Sequence, residues 1–455
     1  MRLQFDAGTL VLSEAPDVDL GQLPGLIWDE RVALWRAPGR YYGELSAALA
    51  QTGFGFSDEV AGDGEVSAAW QEIALRPYQQ AALVNWELSG RRGLVVLPTG
   101  SGKTRLALAA MAGARARTLC LVPTRVLVRQ WSKEIGAFYS GPIGVWGDGK
   151  KDLQAVTVAT FEGAYLNMAE LGRHFDLIVV DEVNHFGGGV KDEALDMCTA
   201  PLRLGLTATP PEQHALLRLR ELVGEVVYEL GIDDLAGTFL ADYDLIVLRL
   251  GLDADERRRY ELERAVFSEV YRRFCRLNPS ASFPEFRLAA AQTAEGRKAL
   301  AAWYESRRCL ALTRAKLRAV GHLLERHRHN RVLIFTADNT AAYAIARQHL
   351  VMPITCEIGR REREQALGAF RDGSLRALVS ARVLNEGVDV PDADVAIIVG
   401  GTQGEREHVQ RIGRLLRPAA GKRALVYELV AHATSETRTS AERRRGLAAS
   451  QSAVQ

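Results

Sequence analysis

The run "LPTGSGKT", residues 97–104, follows apolar residues, opens a helical pattern and has the residue types needed to hold a polyphosphate. Glycines let the amides of Thr99, Gly100, Ser101, Gly102 and Lys103 wrap phosphate oxygens, Lys103 reaches the terminal phosphates, and the Thr104 hydroxyl ligates Mg²⁺. Its first letter is Leu97 where the generic loop has Gly, so a Gly-rich turn is the competing reading. "IVVDEVNH" (178–185) supplies the acidic half. There Asp181 is expected to hold Mg²⁺ through water, and Glu182 to orient and deprotonate the attacking water, because phosphoryl transfer needs orientation and charge neutralisation. In "LRPYQQ" (75–80), Gln79 can pair with both hydrogen-bonding edges of adenine and Arg76 can stack on the base. A surface Gln on a helix fits those letters equally well. In "EREHVQRIGRLLRP" (405–418), Gln410, Arg414 and Arg417 share one helical face, and "NEGVDVPDA" (385–393) offers Gly387 and Asp389. Arginines brought to the phosphates from a second domain stabilise transition-state charge only on closure, although a solvated basic face is the alternative.

These groups need parallel sheets to present them. Two stretches alternate β-branched runs with amphipathic segments, which is the pattern of α/β domains. The first has strands expected at 94–97, 118–123, 156–160, 177–181 and 203–209; the second at 332–337, 353–359, 376–381, 394–400 and 424–430. Between them, Asp253–Ala319 carries 15 Lys/Arg against 9 Asp/Glu and reads as a basic helical insertion. Residues 1–66 read as a small α/β module, 67–230 as the nucleotide-binding domain, 231–326 as linker and insertion, 327–434 as the second sheet domain, and 435–455 as a polar tail, partly disordered.

The chain has 455 residues, formal net charge +1 and pI near 7.7, so any nucleic-acid surface is a local stripe. Its five cysteines are scattered, without metal-ligand spacing, which argues against zinc and iron–sulfur sites and for a reducing compartment. With no apolar run near 18 residues and no leader-like start, a cytoplasmic protein without membrane association is expected.

In order, "LRPYQ", "PTGSGKT", "VPTRVLVRQW", "VATFEGAY", "VVDEVNH", "GLTATP", "VLIFTA", "VLNEGVDVPDADV" and "QRIGRLLRP" resemble a superfamily 2 helicase, specifically the XPB-like DNA helicase family of archaea and bacteria, over essentially the whole chain. The resemblance implies two RecA-like domains with ATP in the cleft, a small N-terminal damage-recognition-like domain, a thumb-like insertion that grips DNA, and 3'-5' polarity. It also places Pro123, Thr124, Arg125 and Thr160 on the first domain, and Thr336, Ser380 and Arg382 on the second, along the nucleic-acid track. Phosphate contacts of that kind position a strand without reading bases. Thr207 to Thr209 would link the track to the ATP site.

Three features depart from the family. Asn184 stands where His is usual, keeping a donor and an acceptor without titrating near neutrality, so its coupling to Gln410 is expected to weaken. "TATPPEQHALL" (207–217) lacks the Arg-Glu-Asp element associated with duplex separation, and "FGGGV" (186–190) replaces a Pro-containing turn. In the insertion, Tyr260, Phe267, Tyr271 and Phe274 interleave with arginines, which suits either DNA contact or an amphipathic helix with its aromatics in the core. The expectation is a monomeric, ATP- and Mg²⁺-dependent DNA translocase or helicase acting on duplex, forked or damaged DNA in repair, transcription-linked remodelling or defence. The alternatives are a nucleotide-gated DNA clamp that recruits a partner nuclease, and an RNA helicase.

Overall fold

The computed structural model describes residues 1–16, 19–60, 68–147, 149–235, 242–381, 393–400 and 423–440. The chain forms two compact units, Met1–Gly231 and Ile232–Gln455.

In the first unit an eight-stranded sheet runs in the order Val226–Glu229, Arg92–Val96, Leu202–Thr207, Leu177–Asp181, Thr118–Val122, Val156–Thr160, Ile143–Gly147, Lys150–Asp152. All pairings are parallel except the terminal hairpin of Ile143–Gly147 with Lys150–Asp152. Parallel sheets are covered on both faces, and runs such as "LCLV" and "LIVV" are accordingly apolar throughout and buried. Leu119, Leu121, Ile178 and Val180 pack with Phe161, Met168, Leu195 and Leu219 in one core. The five strands expected here are all present; Ile143–Gly147, Lys150–Asp152 and Val226–Glu229 extend the sheet beyond them. Because Leu202–Thr207 lies between Arg92–Val96 and Leu177–Asp181, the loops leaving all three emerge side by side at the carboxyl edge, where open α/β sheets bind ligands.

Residues 1–60 form a second sheet in this unit, Ile27–Asp29, Leu34–Pro38, Thr9–Ser13, Arg2–Asp6, Ser57–Asp58, with the helix Tyr42–Gln51 burying Leu45 and Leu49 against Leu3, Leu10 and Leu12. Arg40 joins it to the larger sheet through Asp196, which also holds Arg218, and Arg92 reaches Glu44 at 3.0 Å.

The second unit holds a six-stranded parallel sheet, Asp242–Leu250, Arg423–Ala431, Val395–Ile398, Val332–Phe335, Ala377–Ser380, Met352–Ile354. Its edge strand Asp242–Leu250 comes from the stretch read as linker and insertion, and pairs with Arg423–Ala431 along nine residues. The helix Arg314–Arg326, from the same stretch, places Val320 and Leu323 in the sheet core. What leaves the sheet is therefore three helices, Ala254–Leu277, Phe283–Ala291 and Ala294–Ala311. Their aromatics form a small core: Tyr271 stacks on Phe267 with centroids 5.3 Å apart, Phe274 meets Phe286 edge-on at 5.2 Å, and Tyr260 is buried. Phe267 is buried in this core with Tyr271 and Phe274 partly buried around it, whereas Tyr260 packs separately with Leu310 and Ala431. Asp253 caps the first helix in a capping box with Glu256, and Arg314 binds Asp253 at 3.0 Å where the chain returns. Of the tail, residues 435–440 are helical; Glu436 receives the fully buried Lys316 ammonium at 2.8 Å.

Candidate active site at the carboxyl edge of the first sheet

The phosphate loop follows Arg92–Val96 and ends in the helix Lys103–Ala114. Gly100 and Gly102 have φ of +85° and +82°, a region costly for any residue with a Cβ. A Cβ on Gly102 would also lie 2.5 Å from Gln79 Nε2. The Lys103 ammonium donates to the carbonyls of Leu97 and Pro98 at 3.0 and 3.3 Å, so it sits inside the loop's curl. The Thr99 and Ser101 hydroxyls are buried without a hydrogen-bond partner. Buried hydroxyls are ordinarily paired, so this loop is shaped for an acceptor such as a phosphate oxygen.

Gln79 is 2 % exposed and braces the loop. Its Nε2 donates to the carbonyls of Ser101 and Gly102 at 2.7 and 3.2 Å, and its Oε1 accepts from the Arg76 amide at 2.8 Å. Tyr78, not singled out from sequence although it adjoins Gln79, donates to the same Ser101 carbonyl at 2.6 Å, and Arg76 donates to the Tyr78 hydroxyl at 3.3 Å. These residues hold the shape of the loop in this structure.

Asp181 ends its strand beside the loop, separated from it by the strand Leu202–Thr207. Its Oδ1 accepts the Glu182 amide at 3.1 Å and its Oδ2 the indole N–H of Trp131 at 3.0 Å. Burial, then the neighbouring Glu182 charge, pushes the Asp181 carboxyl up to about 6, with Lys103 and Trp131 opposing. Glu182 has φ +53°, a left-handed conformation costly for a non-glycine residue and frequent at functional sites. Asn184 accepts from Thr207 Oγ1 at 2.7 Å, leaving its Nδ2 buried and unpartnered; the Thr207 hydroxyl also receives the Thr209 amide at 3.3 Å. Of the glycine run, Gly187 has a local cause, with φ +101° and a Cβ that would lie 2.6 Å from the Ala215 carbonyl of the helix Gln213–Leu222; nothing in the structure requires Gly188 or Gly189.

Among the described residues no group of three or more His, Cys, Asp or Glu could hold a metal ion. The Thr104 hydroxyl and the Asp181 carboxylate are hard oxygen donors on this edge, and Mg²⁺ takes only one or two protein ligands beside phosphates and water, so the donor set fits it. On the same edge Thr124 and Thr160 cap the helices Arg125–Gly136 and Phe161–Leu171, their hydroxyls accepting from Leu127 and Gly163 amides at 3.4 and 3.0 Å. Pro123 is partly buried and Arg125 exposed; Arg125 and Thr160 line a cavity of about 290 Å³. In the second unit Thr336 and Ser380 are fully buried, and their hydroxyls donate to the Asp338 and Ile354 carbonyls at 3.0 and 2.9 Å. Neither residue offers side chain or backbone to the surface here, and the Thr336 amide already donates to the Ser380 carbonyl at 2.9 Å. Arg382, Gly387, Asp389, Gln410, Arg414 and Arg417 lie outside the described residues. No described helix is long and apolar enough to cross a membrane.

Two parallel RecA-like sheets with these loops at the carboxyl edge define the fold class of superfamily 2 helicases. The solved helicase domain of Pyrococcus furiosus Hef is similar over 81 % of this chain and 98 % of its own, with TM-score 0.53 and 17 % identity. Saccharomyces cerevisiae Dbp5, solved with RNA and ADP BeF3, is similar over 82 % of this chain and 88 % of its own, with TM-score 0.55 and 15 % identity. In sequence, residues 72–212 match the type III restriction enzyme res subunit family, 315–419 the helicase conserved C-terminal domain, and 3–60 the Xeroderma pigmentosum group B helicase damage recognition domain. The chain is 34 % identical, over 96 % of its length and 98 % of the relative's, to the DNA 3'-5' translocase XPB2 of Sulfurisphaera tokodaii. It is 30 % identical, over 86 % of its length and 68 % of the relative's, to the DNA 3'-5' helicase XPB of Mycobacterium tuberculosis. The chain belongs to the XPB family of superfamily 2 helicases.

Proposed function

We propose that this protein is an ATP-dependent DNA translocase of the XPB type, moving 3'-5' on duplex, forked or damaged DNA as a monomer. The observation that carries the reading is the preformed phosphate loop, with two unpartnered buried hydroxyls, on the same sheet edge as Asp181 and Glu182. Kinship over nearly the whole length with a named DNA translocase supports a motor over a nucleotide-gated clamp or an RNA helicase.

ATP is the substrate. Thr99 to Lys103 present backbone N–H groups to its phosphates, Lys103 turns from the Leu97 and Pro98 carbonyls to the terminal phosphates, and Arg76 and Gln79 serve the base and the loop. Thr104 and, through water, Asp181 would hold Mg²⁺, which when bound supplies charge neutralisation to the phosphates. Glu182, fixed in its left-handed conformation, orients and deprotonates the attacking water. From the second RecA-like domain, Gln410, Arg414 and Arg417 bring hydrogen bonds and positive charge to the phosphates on closure, with Gly387 and Asp389 beside them. Asn184, Thr207 and Thr209 couple this site to a track of Pro123, Thr124, Arg125 and Thr160, continued by Thr336, Ser380 and Arg382. The segment 254–311 acts as the DNA-gripping insertion, and residues 1–60 as the damage-recognition module. The functional divisions are 1–66, 67–230, 231–326, 327–434 and 435–455, with the edge strand Asp242–Leu250 and the helix Arg314–Arg326 belonging to the second sheet domain. The cellular setting is repair, transcription-linked remodelling or defence in the cytoplasm, with a nuclease as candidate partner.

The test is steady-state ATP hydrolysis with duplex, forked and single-stranded DNA and without DNA. Stimulation by DNA that Lys103→Ala abolishes is the expected result. Nucleotide-dependent DNA affinity without stimulated turnover would overturn the motor in favour of the clamp.

A further inference from the structure

The indole of Trp131 has an unusual partner. Tryptophan N–H groups in protein interiors need an acceptor, and Trp86 in the same unit uses the Arg203 backbone carbonyl at 2.9 Å. Trp131, 1 % exposed, donates instead to Oδ2 of Asp181 at 3.0 Å. With Oδ1 accepting the Glu182 amide at 3.1 Å, both carboxylate oxygens are fixed, so the side chain has one rotamer. An indole N–H donates only and does not titrate, and its bulk leaves it no freedom in a packed interior, so its position follows the helix that bears it.

That helix is Arg125–Gly136, capped by Thr124, and its two faces look at different things. Trp131 and Ile135 are buried, and Val128 lies at the boundary between the two faces. Arg125, Val128 and Arg129 line the cavity of about 290 Å³ together with Trp146, Lys150 and Thr160, three cations around a partly apolar floor that suits a sugar–phosphate segment. A twelve-residue helix is about 18 Å long and moves as a rod. A shift of about half an ångström, driven by phosphate contacts at its cationic face, would take the Trp131–Asp181 bond past hydrogen-bonding range.

We propose that Trp131 is a positioning residue for Asp181, and that the helix Arg125–Gly136 reports nucleic-acid occupancy to the ATP site through this one hydrogen bond. The contact differs from that of Thr207 with Asn184, although Asn184 stands on the same loop three residues after Asp181. The inference rests on the DNA-translocase reading. It predicts that nucleic acid alters the Asp181 environment before any nucleotide binds.

Trp131→Phe keeps an aromatic ring and removes the N–H. The expected result is a roughly tenfold loss of DNA-stimulated kcat, a KM for ATP within about threefold, a Kd for duplex DNA within about twofold, and a Tm within about 2 °C of wild type. Trp131→His, which retains a ring N–H, recovers a substantial part of the loss. Independently of turnover, the indole signal absent from both variants in ¹⁵N–¹H spectra of the wild-type tryptophans shifts when duplex DNA is added without nucleotide. Unchanged DNA-stimulated kcat in Trp131→Phe, or an indole signal unmoved by DNA, overturns the proposal. So does a loss of kcat matched by equal losses of DNA affinity and Tm, which marks packing alone. If wild-type turnover is not stimulated by DNA, the translocase reading fails instead; the indole shift with DNA then still decides whether the helix reports nucleic-acid occupancy.

Discussion

The two ends of the strand Leu202–Thr207 treat their polar groups in opposite ways. At the amino end the guanidinium of Arg203 is fully buried with no acidic side chain as hydrogen-bond partner, and is met by the carbonyls of Ala200, Leu195, Leu222 and Cys198 at 2.5–2.9 Å. Burial holds it down to about 10, so it stays charged at neutral pH. At the carboxyl end Thr99 Oγ1, Ser101 Oγ, Asn184 Nδ2 and Thr209 Oγ1 are buried without partners, and Glu182 is held at φ +53°. One edge is self-satisfied and ties residues 195–200 and the helix Gln213–Leu222 to the strand start; the other is left incomplete for something that arrives. Local rules broken at one edge and met at the other separate the part that binds from the part that holds.

Crossing the two edges with mutations tests that division. Arg203→Leu leaves four buried carbonyls without their donor and should cost about 4 kcal/mol in urea unfolding, while kcat per folded molecule at low temperature stays within about twofold. A comparable loss of kcat per folded molecule would break the comparison. Lys103→Ala should do the reverse, lowering kcat by about a hundredfold or more with Tm moving by no more than about 2 °C. Asp181→Asn should show the tension at the open edge. The folded carboxyl titrates at about 6 against an ordinary 3.8, so the folded state holds its proton more tightly. That contribution to stability is complete below about 4 and is lost as pH rises through about 6. Asp181→Asn should therefore raise Tm by about 2–4 °C at pH 8 and by nothing measurable at pH 4, in differential scanning calorimetry without nucleotide. The smallest effect is expected from Asn184→Ala, which removes the nearer acceptor of Thr207, leaves it the Thr209 carbonyl at 3.0 Å, and should lower DNA-stimulated kcat about threefold.

The open edge was more legible in the sequence than the closed one. Loop chemistry is local, so the glycines at 100 and 102, Lys103 and the Asp181-Glu182 pair declare themselves within a few letters. Gln79 was legible as a nucleotide-site residue, but its grip on the Ser101 carbonyl depends on a fold-back that its own segment does not encode. Trp131 reads as an ordinary amphipathic position, because its acid partner is 50 residues away. Arg203 sits in "PLRLGLTAT", where an arginine near a strand start suggests a solvent-facing end; three of its acceptors lie within eight residues upstream and the fourth, Leu222, ends the next helix, but the letters do not say that these carbonyls turn inward. The edge strand Asp242–Leu250 was read as linker for the same reason, since its partner begins at Arg423. Thr336 and Ser380 carry family motifs, yet the letters do not reveal that both hydroxyls turn inward.

That edge strand has a consequence for how such a protein can change over generations. The chain leaves the second sheet at Leu250 and is back on it with the helix Arg314–Arg326, the exit and return pinned by Arg314 and Asp253. The three helices between have their own aromatic core and contribute no strand, so they form a cassette on a single neck. Helices there can be lengthened, shortened or exchanged without disturbing strand register, so this part of the chain can change while the sheet beneath keeps its pairing.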